Sequence, residues 1–505
     1  MDADVLIVGS GAGGGTLARA LADSGLRILI LERGDYLPRE WGNWDPQTVF
    51  ASFRYHTDEE WFDTEASAPF HPVTGYHVGG NTKFYGAAVL RRRPGDFQPR
   101  RYPDGATPAW PIAYGDLAPH YAQAEDWYFT HGQAGADPTE GPRDAYPFPP
   151  FPHDADIARV EQALREQGLH PFPLPLALHR LDNDPAHSPC VRCPTCDGFP
   201  CMVHAKGDAE LCGVRPALQL PNVQLRCNER VRRILLAEDG QRVSGVETDS
   251  GRFTARVVVL SAGAINSAAI LLASRSEAFP NGLANRSDQV GRNYMCHLNS
   301  ACMAIQPQRE NRSVFQKTLA LNDFYEDSGD PDYPHPLGHI QGLGKVTPAL
   351  LHAQRPRWPI PMTAWAASHS VDWWLTTEDL PDPENRVTLS DEGQIRLRWQ
   401  PNNRETHRRL CEKWRCILQG AGFPFVFFQA MDISATAHQV GTCRFGTDPQ
   451  DSVLDPLCKA HDLDNLYVVD ASFMPSISAV NPSLTIIANA IRVAESLRVQ
   501  FASGQ

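Results

Sequence analysis

Length, composition and charge restrict the class of protein before any motif is considered. The chain has 505 residues, of which 42% are hydrophobic and 21% charged, so it can bury a large core. A net charge of −13 disfavours nucleic acid and an anionic membrane surface as partners. No apolar run is long enough to cross a membrane, and a strand is predicted from residue 4 onward, which leaves no room for a secretory leader. These features predict a cytoplasmic protein without a membrane span.

The first thirty or so residues predict a dinucleotide-binding unit. An apolar run at residues 5–8 meets a glycine-rich turn, and an Ala/Leu-rich segment with helical periodicity follows. In that turn Gly9 allows a tight bend, Gly11 leaves room for a pyrophosphate beside the backbone, and Gly14 lets the helix pack close on the strand. The alternative for such a turn taken alone is an ordinary strand-to-helix connection.

Two further stretches fit the same ligand. A second apolar run ends at Glu32, where the ribose of a dinucleotide needs a carboxylate, and Arg33 follows it directly. The paired glycines Gly79 and Gly80, followed by Asn81, bring backbone N–H groups near a flat or anionic ligand. Read alone, this second stretch could be a surface turn.

The later chain alternates between two kinds of pattern. Residues 222–226 and 231–236 predict a hairpin, and residues 256–264 predict a buried strand that ends in small residues. Short strands and Pro/Trp-rich loops from residue 297 to residue 430 predict an inserted, mostly antiparallel domain. Residues 466–472 then predict a strand with an acid at its end, and Asn481-Pro482 predicts the start of a helix that runs through Ala494.

Several of these stretches together carry a family resemblance. They are the N-terminal glycine fingerprint, GYHVGGNTKFYGAAVLR, VVVLSAGAINSAAILLAS, VGRNYMCH, HQVGTCRFG and LYVVDASFMPSISAVNPSLTIIANAIRVAE. In content and order they resemble the glucose–methanol–choline (GMC) oxidoreductase family. The resemblance implies an α/β fold, α+β overall, in which a Rossmann-like FAD-binding domain of discontinuous segments carries an inserted substrate domain built on an antiparallel sheet. It implies FAD binding by residues 1–97, 187–297 and 433–505, and substrate binding by residues 98–186 and 298–432.

The resemblance also implies a function and a set of site residues. The expected reaction is FAD-dependent oxidation of a primary or secondary alcohol, such as a sugar, polyol or aromatic alcohol, with hydride transfer to flavin N5. Oxygen or another acceptor would take the electrons. The implied cofactor-binding residues are Gly9, Gly11, Ala12, Gly14, Glu32, Arg33, Gly79, Gly80, Asn81, Val231, Ala262, Gly263, Asp470, Ala471 and Pro482.

His438 and Asn481 are the implied catalytic pair, and their chemistry suits the reaction. Hydride transfer from a carbinol carbon requires the hydroxyl proton to leave, and a near-neutral imidazole is a fitting acceptor. The Asn481 amide can hold the same oxygen without competing for the proton. The alternative is that His438 is a core histidine and Asn481 a helix cap. His297 and Trp365 are further candidates for the substrate pocket.

Departures from the family pattern leave specific questions open. Some members attach flavin to a histidine at the position of Phe84, which has no nucleophile, so the sequence predicts non-covalent FAD. Cys190, Cys193, Cys196 and Cys201 could be free thiols or disulfides, or could bind zinc or an iron–sulfur cluster, and no metal ligand is assigned. The alternative functions are a flavin protein with altered chemistry and a dehydrogenase that passes electrons through such a cluster to a partner.

Overall fold

The computed structural model describes residues 1–435 and 437–503. Within these residues the strands, β1 to β23 in chain order, are Ala3–Val8, Ile28–Leu31, Trp61–Asp63, Ala68–Phe70, Arg101–Tyr102, Gly105–Ala106, Thr130–His131, Phe172–Pro173, Leu176–Ala177, Val223–Arg226, Val231–Leu236, Val243–Thr248, Arg252–Leu260, Met295–Cys296, Leu298–Ile305, Leu319–Leu321, His339–Gly342, Ser370–Thr377, Arg386–Leu389, Ile395–Arg398, Phe425–Ala430, Gln439–Val440 and Leu466–Val468. The α-helices, α1 to α9, are Ala12–Leu21, Tyr114–Trp127, Ala155–Glu166, Arg215–Ala217, Ala264–Ala273, Pro348–Gln354, Ile360–Ser368, Arg404–Gly420 and Ser483–Ala502.

A parallel sheet holds the N-terminal unit together. Strand β1 lies between β2 and β13, with Val5 paired to Ile28 on one side and to Val257 on the other, while β10 extends the sheet beyond β2 and β23 pairs with β13. Strand β1 is apolar along most of its length because both faces of a parallel sheet are covered. The carboxyl ends of β1, β13 and β23 therefore meet at one edge of the sheet. This confirms the predicted α/β class.

The hairpin predicted between residues 222–226 and 231–236 is wrong. Strand β10 pairs in parallel with β2, whereas β11 forms an antiparallel hairpin with β12, which also pairs with β13. Alternation of apolar residues identifies a strand but does not identify its partner. Here β10 pairs with β2 and extends the parallel sheet on that side.

A second sheet is antiparallel, in agreement with the predicted inserted domain. Its six strands follow the order β21, β15, β18, β17, β16 and β8. Helix α8 covers one face, where Trp414 meets Trp373 of β18 edge-to-face with ring centroids 4.8 Å apart. Because side chains alternate along a strand, the opposite face presents Gln341 and Trp374.

The C-terminal helix is longer than predicted and begins later. Helix α9 extends to Ala502 rather than Ala494, and Pro482 is its N-cap residue. Asn481 precedes that cap, so its side chain has no role as the N-cap of α9. The helix packs against α1 and α2, and the Tyr121 and Thr485 hydroxyl oxygens are 2.8 Å apart. None of the helices in the described residues is long and apolar enough to span a membrane.

Candidate active site

At Gly9 and Gly14 of the glycine turn after β1, a side chain would overlap the backbone. Gly9 has a φ of +95°, and a Cβ atom there would overlap the carbonyl oxygen of Ser261 at the end of β13. A Cβ atom at Gly14 would overlap the carbonyl oxygen of Gly9. Both glycines are therefore needed to pack strand, turn and helix together.

Gly11 is different, because a Cβ atom there would overlap no other atom of the protein. A Cβ atom there would meet only Gly80 Cα, at 3.8 Å. Ala12 begins α1, whose first turn has no acidic residue and whose N-cap makes no side-chain hydrogen bond. The N–H groups at this helix end lie where the two glycine turns meet. A helix end of this kind suits an anionic group such as a pyrophosphate.

Glu32 and Arg33, adjacent in sequence, have different surroundings. Glu32 is buried directly after β2, and its carboxylate accepts hydrogen bonds from Ser10 N at 3.0 Å and Ser10 Oγ at 2.5 Å. The carboxylate thus lies at the glycine turn. The Arg33 guanidinium instead pairs with Glu59 at 3.1 Å and lies over the Tyr76 ring at 3.7 Å. Sequence reasoning did not identify these two partners.

The second glycine stretch lies against the first. Gly79 and Gly80 both have positive φ, and Gly79 N donates to Ser10 Oγ at 3.1 Å. The side-chain oxygen of Asn81 accepts from Thr74 Oγ1 at 3.0 Å, so this side chain helps to hold its own loop.

Asp470 ties the ends of two strands together. Its carboxylate accepts from Gly263 N at 3.1 Å, from the Ser267 hydroxyl, and from Ser472 N at 3.0 Å. Burial raises the pKa of this carboxyl. Ala471 follows Asp470 in sequence and Ala262 precedes Gly263, whereas Val231 is buried at the start of the β11–β12 hairpin.

His438 lies against a second histidine. Its Nδ1 atom is 2.8 Å from Nδ1 of His297, and Nε2 of His297 is 2.7 Å from the carbonyl oxygen of Ser478. Shielding from water, followed by the charge of Lys317, lowers the pKa of His438 to about 4, so the ring is neutral at pH 7. His297 was a candidate from sequence, but its pairing was not predicted. Trp365 instead stacks on His369 and is 42% exposed.

The loop before Asn481 is fixed through its carbonyl groups. Nη2 of the buried Arg92 donates to Ser476 O at 2.9 Å and to Ile477 O at 2.8 Å, and Thr376 Oγ1 donates to Ala479 O at 2.5 Å. Asn481 Oδ1 is buried and has no hydrogen-bond partner among the described residues. Because an unpaired buried oxygen is costly, this atom is suited to a bound ligand.

Comparison with known proteins identifies the family. Two family models described as GMC oxidoreductase match residues 177–299 and 381–490, and an NAD(P)-binding Rossmann-like model matches residues 7–63. The 6'''-hydroxyparomomycin C oxidase of Streptomyces lividus is 31% identical over 530 residues, covering 99% of this chain and 92% of its own. The chain belongs to the GMC oxidoreductase family.

Other relatives of this GMC oxidoreductase agree. Paromamine 6'-oxidase of Streptomyces fradiae is 30% identical, covering 98% of this chain and 91% of its own. The crystal structure of pyridoxine 4-oxidase from Mesorbium loti has the same fold, with a TM-score of 0.68, 21% identity and 98% coverage of both chains. This GMC oxidoreductase is an FAD-dependent enzyme that oxidises alcohols.

The segment of this GMC oxidoreductase that contains Cys190, Cys193, Cys196 and Cys201 has no disulfide bond. All four of its cysteines are free thiols, and no group of metal-binding side chains suited to a metal ion is found in the described parts of the chain. Burial raises the pKa of Cys190 to about 11 and that of Cys196 to about 12, which disfavours the thiolate that metals bind. Lys206 Nζ instead donates to Cys196 O at 2.9 Å, and Asp197 pairs with Lys317.

Purified enzyme should therefore contain no stoichiometric iron. Burial favours the protonated form of Cys190 and Cys196, and Lys206 already holds the backbone of the segment. Elemental analysis of protein prepared without air tests this prediction, with flavin content as the internal standard. Several irons per chain, with a broad visible band beneath the flavin spectrum, would contradict it.

FAD should leave the protein on acid precipitation. Phe84 occupies the position at which some relatives carry a linking histidine, and its ring stacks on His56 with centroids 5.4 Å apart. We expect the yellow colour in the supernatant, measured by its absorbance against the pellet. Flavin that stays with the pellet after repeated washing would show a covalent bond.

Proposed function

We propose that this enzyme oxidises a hydroxyl group of an amino sugar to a carbonyl, with His438 as general base. The observation that carries the proposal is the neutral His438, whose partner His297 is hydrogen-bonded to the loop that leads to Asn481. A neutral imidazole can accept the hydroxyl proton at Nε2. Bound FAD supplies the acceptor for the hydride that leaves the carbinol carbon.

Asn481 is proposed to hold the alcohol oxygen. Asn481 precedes helix α9 rather than capping it, so its amide is not used by the helix start. An amide N–H can donate to the alcohol oxygen while the hydroxyl hydrogen points at His438. The alcohol is then oriented without a second base that competes for its proton.

The pyrophosphate of the cofactor is proposed to bind beside Gly11, at the start of α1. Glu32, Gly79 and Gly80 contact this glycine turn, and Gly263, Asp470 and Ala471 lie at the neighbouring strand ends. We assign FAD binding to residues 1–97, 187–297 and 433–505, which contain every strand of the parallel sheet in the described chain. Substrate binding is assigned to residues 98–186 and 298–432, which contain the six-stranded antiparallel sheet.

Two observations support an amino sugar as the substrate: the names of two relatives and the net negative charge of this protein. Two relatives that are at least 30% identical over nearly the whole chain are named 6'''-hydroxyparomomycin C oxidase and paromamine 6'-oxidase. Amino sugars are cations at neutral pH, and a protein with a net charge of −13 attracts cations over a distance. Because both relatives are named oxidases, oxygen is also favoured as the electron acceptor.

Twelve free thiols in the described chain support a cytoplasmic location.

Anaerobic mixing with a panel of alcohols tests the substrate. The panel contains paromamine, glucose, pyridoxine and 2-methyl-1,2-propanediol, and the readout is bleaching of the flavin absorbance. We expect bleaching by paromamine that slows as salt is raised, and reoxidation with hydrogen peroxide release when air is admitted. Bleaching by glucose or pyridoxine but not by paromamine would refute the amino-sugar assignment. Failure of every alcohol would favour a flavin protein with altered chemistry.

The rate of flavin reduction should not depend on pH between about 6 and 8. The pKa of His438 is lowered to about 4, so the ring stays unprotonated throughout this range. The rate should fall only at lower pH, when protonation removes the base. Stopped-flow mixing with pH jumps measures this profile. An acid limb centred near pH 6.5 or above would show that His438 is not held neutral.

A further inference from the structure

The contact between the two histidines constrains where their protons are. Nδ1 of His297 and Nδ1 of His438 are 2.8 Å apart, which is a hydrogen-bond distance. Two imidazole nitrogens can form such a bond only if one carries a proton and the other offers its lone pair. The rings meet edge to face, with an interplanar angle of 89° and centroids 4.9 Å apart. The pair therefore has two possible arrangements of protons.

The hydrogen bond at Nε2 of His297 decides which of the two proton arrangements is present. Its Nε2 atom is 2.7 Å from Ser478 O, and because a carbonyl oxygen only accepts, Nε2 must carry the proton. Burial, followed by the nearby His438, keeps the pKa of His297 well below its usual value, so the ring is neutral and has a single N–H. Its Nδ1 atom is then the acceptor. The proton between the rings consequently belongs to Nδ1 of His438.

We propose that His297 is a positioning residue that holds His438 in the tautomer with a proton on Nδ1 and a lone pair on Nε2. The Ser478 carbonyl sets this tautomer through His297. This inference rests on the proposed role of His438 as general base. A base is useful only if the nitrogen that faces the alcohol is the unprotonated one, and the chain of three groups ensures this before substrate arrives.

The Ser478 carbonyl is itself held in place. Ser478 has a φ of +57°, a conformation that an L residue adopts only when its surroundings require it. Its N–H donates to Glu378 Oε1 at 2.7 Å, and the carbonyl groups of Ile477 and Ala479 on either side are bound by Arg92 and Thr376. These bonds aim the Ser478 oxygen at His297. The relay is therefore preorganised rather than formed on substrate binding.

Variants of His297 test the proposal in the flavin-loaded enzyme. His297→Leu removes the contact with His438, and we expect flavin reduction to slow about 10- to 100-fold. In His297→Asn the Oδ1 atom takes the place of Nδ1 and still accepts from His438, so most of the rate should return. His131→Asn is the matched control, because this fully buried histidine also bonds a carbonyl oxygen, that of Pro149, and should leave the rate unchanged. An Asn variant as slow as the Leu variant would overturn the proposal.

A double substitution separates this proposal from the proposed function. If His297 acts only through His438, adding His297→Leu to His438→Ala should slow the reaction no further. A full additional loss, or no effect of His297→Leu alone, would refute the positioning role while leaving His438 as base. If His438→Ala itself has no effect, the proposed function fails instead.

A spectroscopic measurement reads the tautomer without any activity assay. Nitrogen-15 shifts of imidazole distinguish a protonated ring nitrogen from one with a lone pair, and the His438→Ala spectrum assigns the His438 signals. In the flavin-loaded wild-type enzyme at pH 7 we expect a protonated Nδ1 and an unprotonated Nε2 on His438. The reverse tautomer would overturn the proposal even if His297→Leu does not fold.

Discussion

Replacing His438 with alanine should slow anaerobic flavin reduction by about 10²–10⁴-fold while FAD remains bound, because general-base catalysis typically contributes this much. The His438 ring is neutral at pH 7 and lies in the hydrogen-bonded chain that ends at the Ser478 carbonyl. Stopped-flow bleaching is the appropriate measurement, since steady-state turnover can be limited by reoxidation or product release.

The control for this variant is His461→Ala. His461 is also half-buried and is hydrogen-bonded to a side chain, with Nε2 3.0 Å from Ser452 Oγ, but it has no place in the proposed site. Its loss should leave the reduction rate unchanged. A His438→Ala enzyme with full flavin content that bleaches as fast as wild type would remove His438 from the mechanism.

Replacing Gly11 with alanine should weaken FAD binding without unfolding the protein. The added Cβ atom meets only Gly80 Cα at 3.8 Å within the protein, so it occupies the space assigned to the pyrophosphate. Overpacking of about 1–3 kcal/mol corresponds to a Kd about 5- to 150-fold weaker. The measurements are the Kd of FAD for the flavin-free protein and the thermal midpoint of that protein.

Two other glycines provide the comparison. Gly115→Ala lies in α2 with no atom within 4 Å of its Cβ, and it should change neither quantity. Gly14→Ala places its Cβ on the Gly9 carbonyl and should damage folding itself. A Gly11→Ala protein with wild-type affinity for FAD would show that the pyrophosphate does not bind beside Gly11.

The first strand, glycine turn and helix could be predicted from the sequence because the residues that shape them are close together in the chain. Gly9 must bend the chain directly after β1, and Gly14 must lie in the first turn of α1, so a few adjacent residues suffice to predict the geometry. The buried strand β13 was equally clear from its apolar run. By contrast, the same kind of pattern gave the wrong partner for residues 222–226, because pairing is decided by which sheet edge is available.

The roles of several side chains depend on distant partners. Sequence placed Arg33 next to Glu32 at the cofactor, but its guanidinium pairs with Glu59 and Tyr76 from another loop. The sequence favoured Asn481 as a catalytic amide and kept a helix cap as the alternative. The position of Pro482 as the N-cap residue removed the helix-cap alternative.

The sequence by itself determined the α/β fold, because glycine turns and apolar periodicity depend on neighbouring residues. Its short motifs carried the resemblance to the GMC family, which implied FAD as cofactor and alcohol oxidation as the reaction. Only the tertiary structure brought His297 to His438, which is 141 positions away, and brought both to the carbonyl of Ser478. The proton arrangement of that chain follows from distances between segments that three separate parts of the fold supply. No local pattern records such distances, since they are decided by how the two sheets and the loop before α9 pack together.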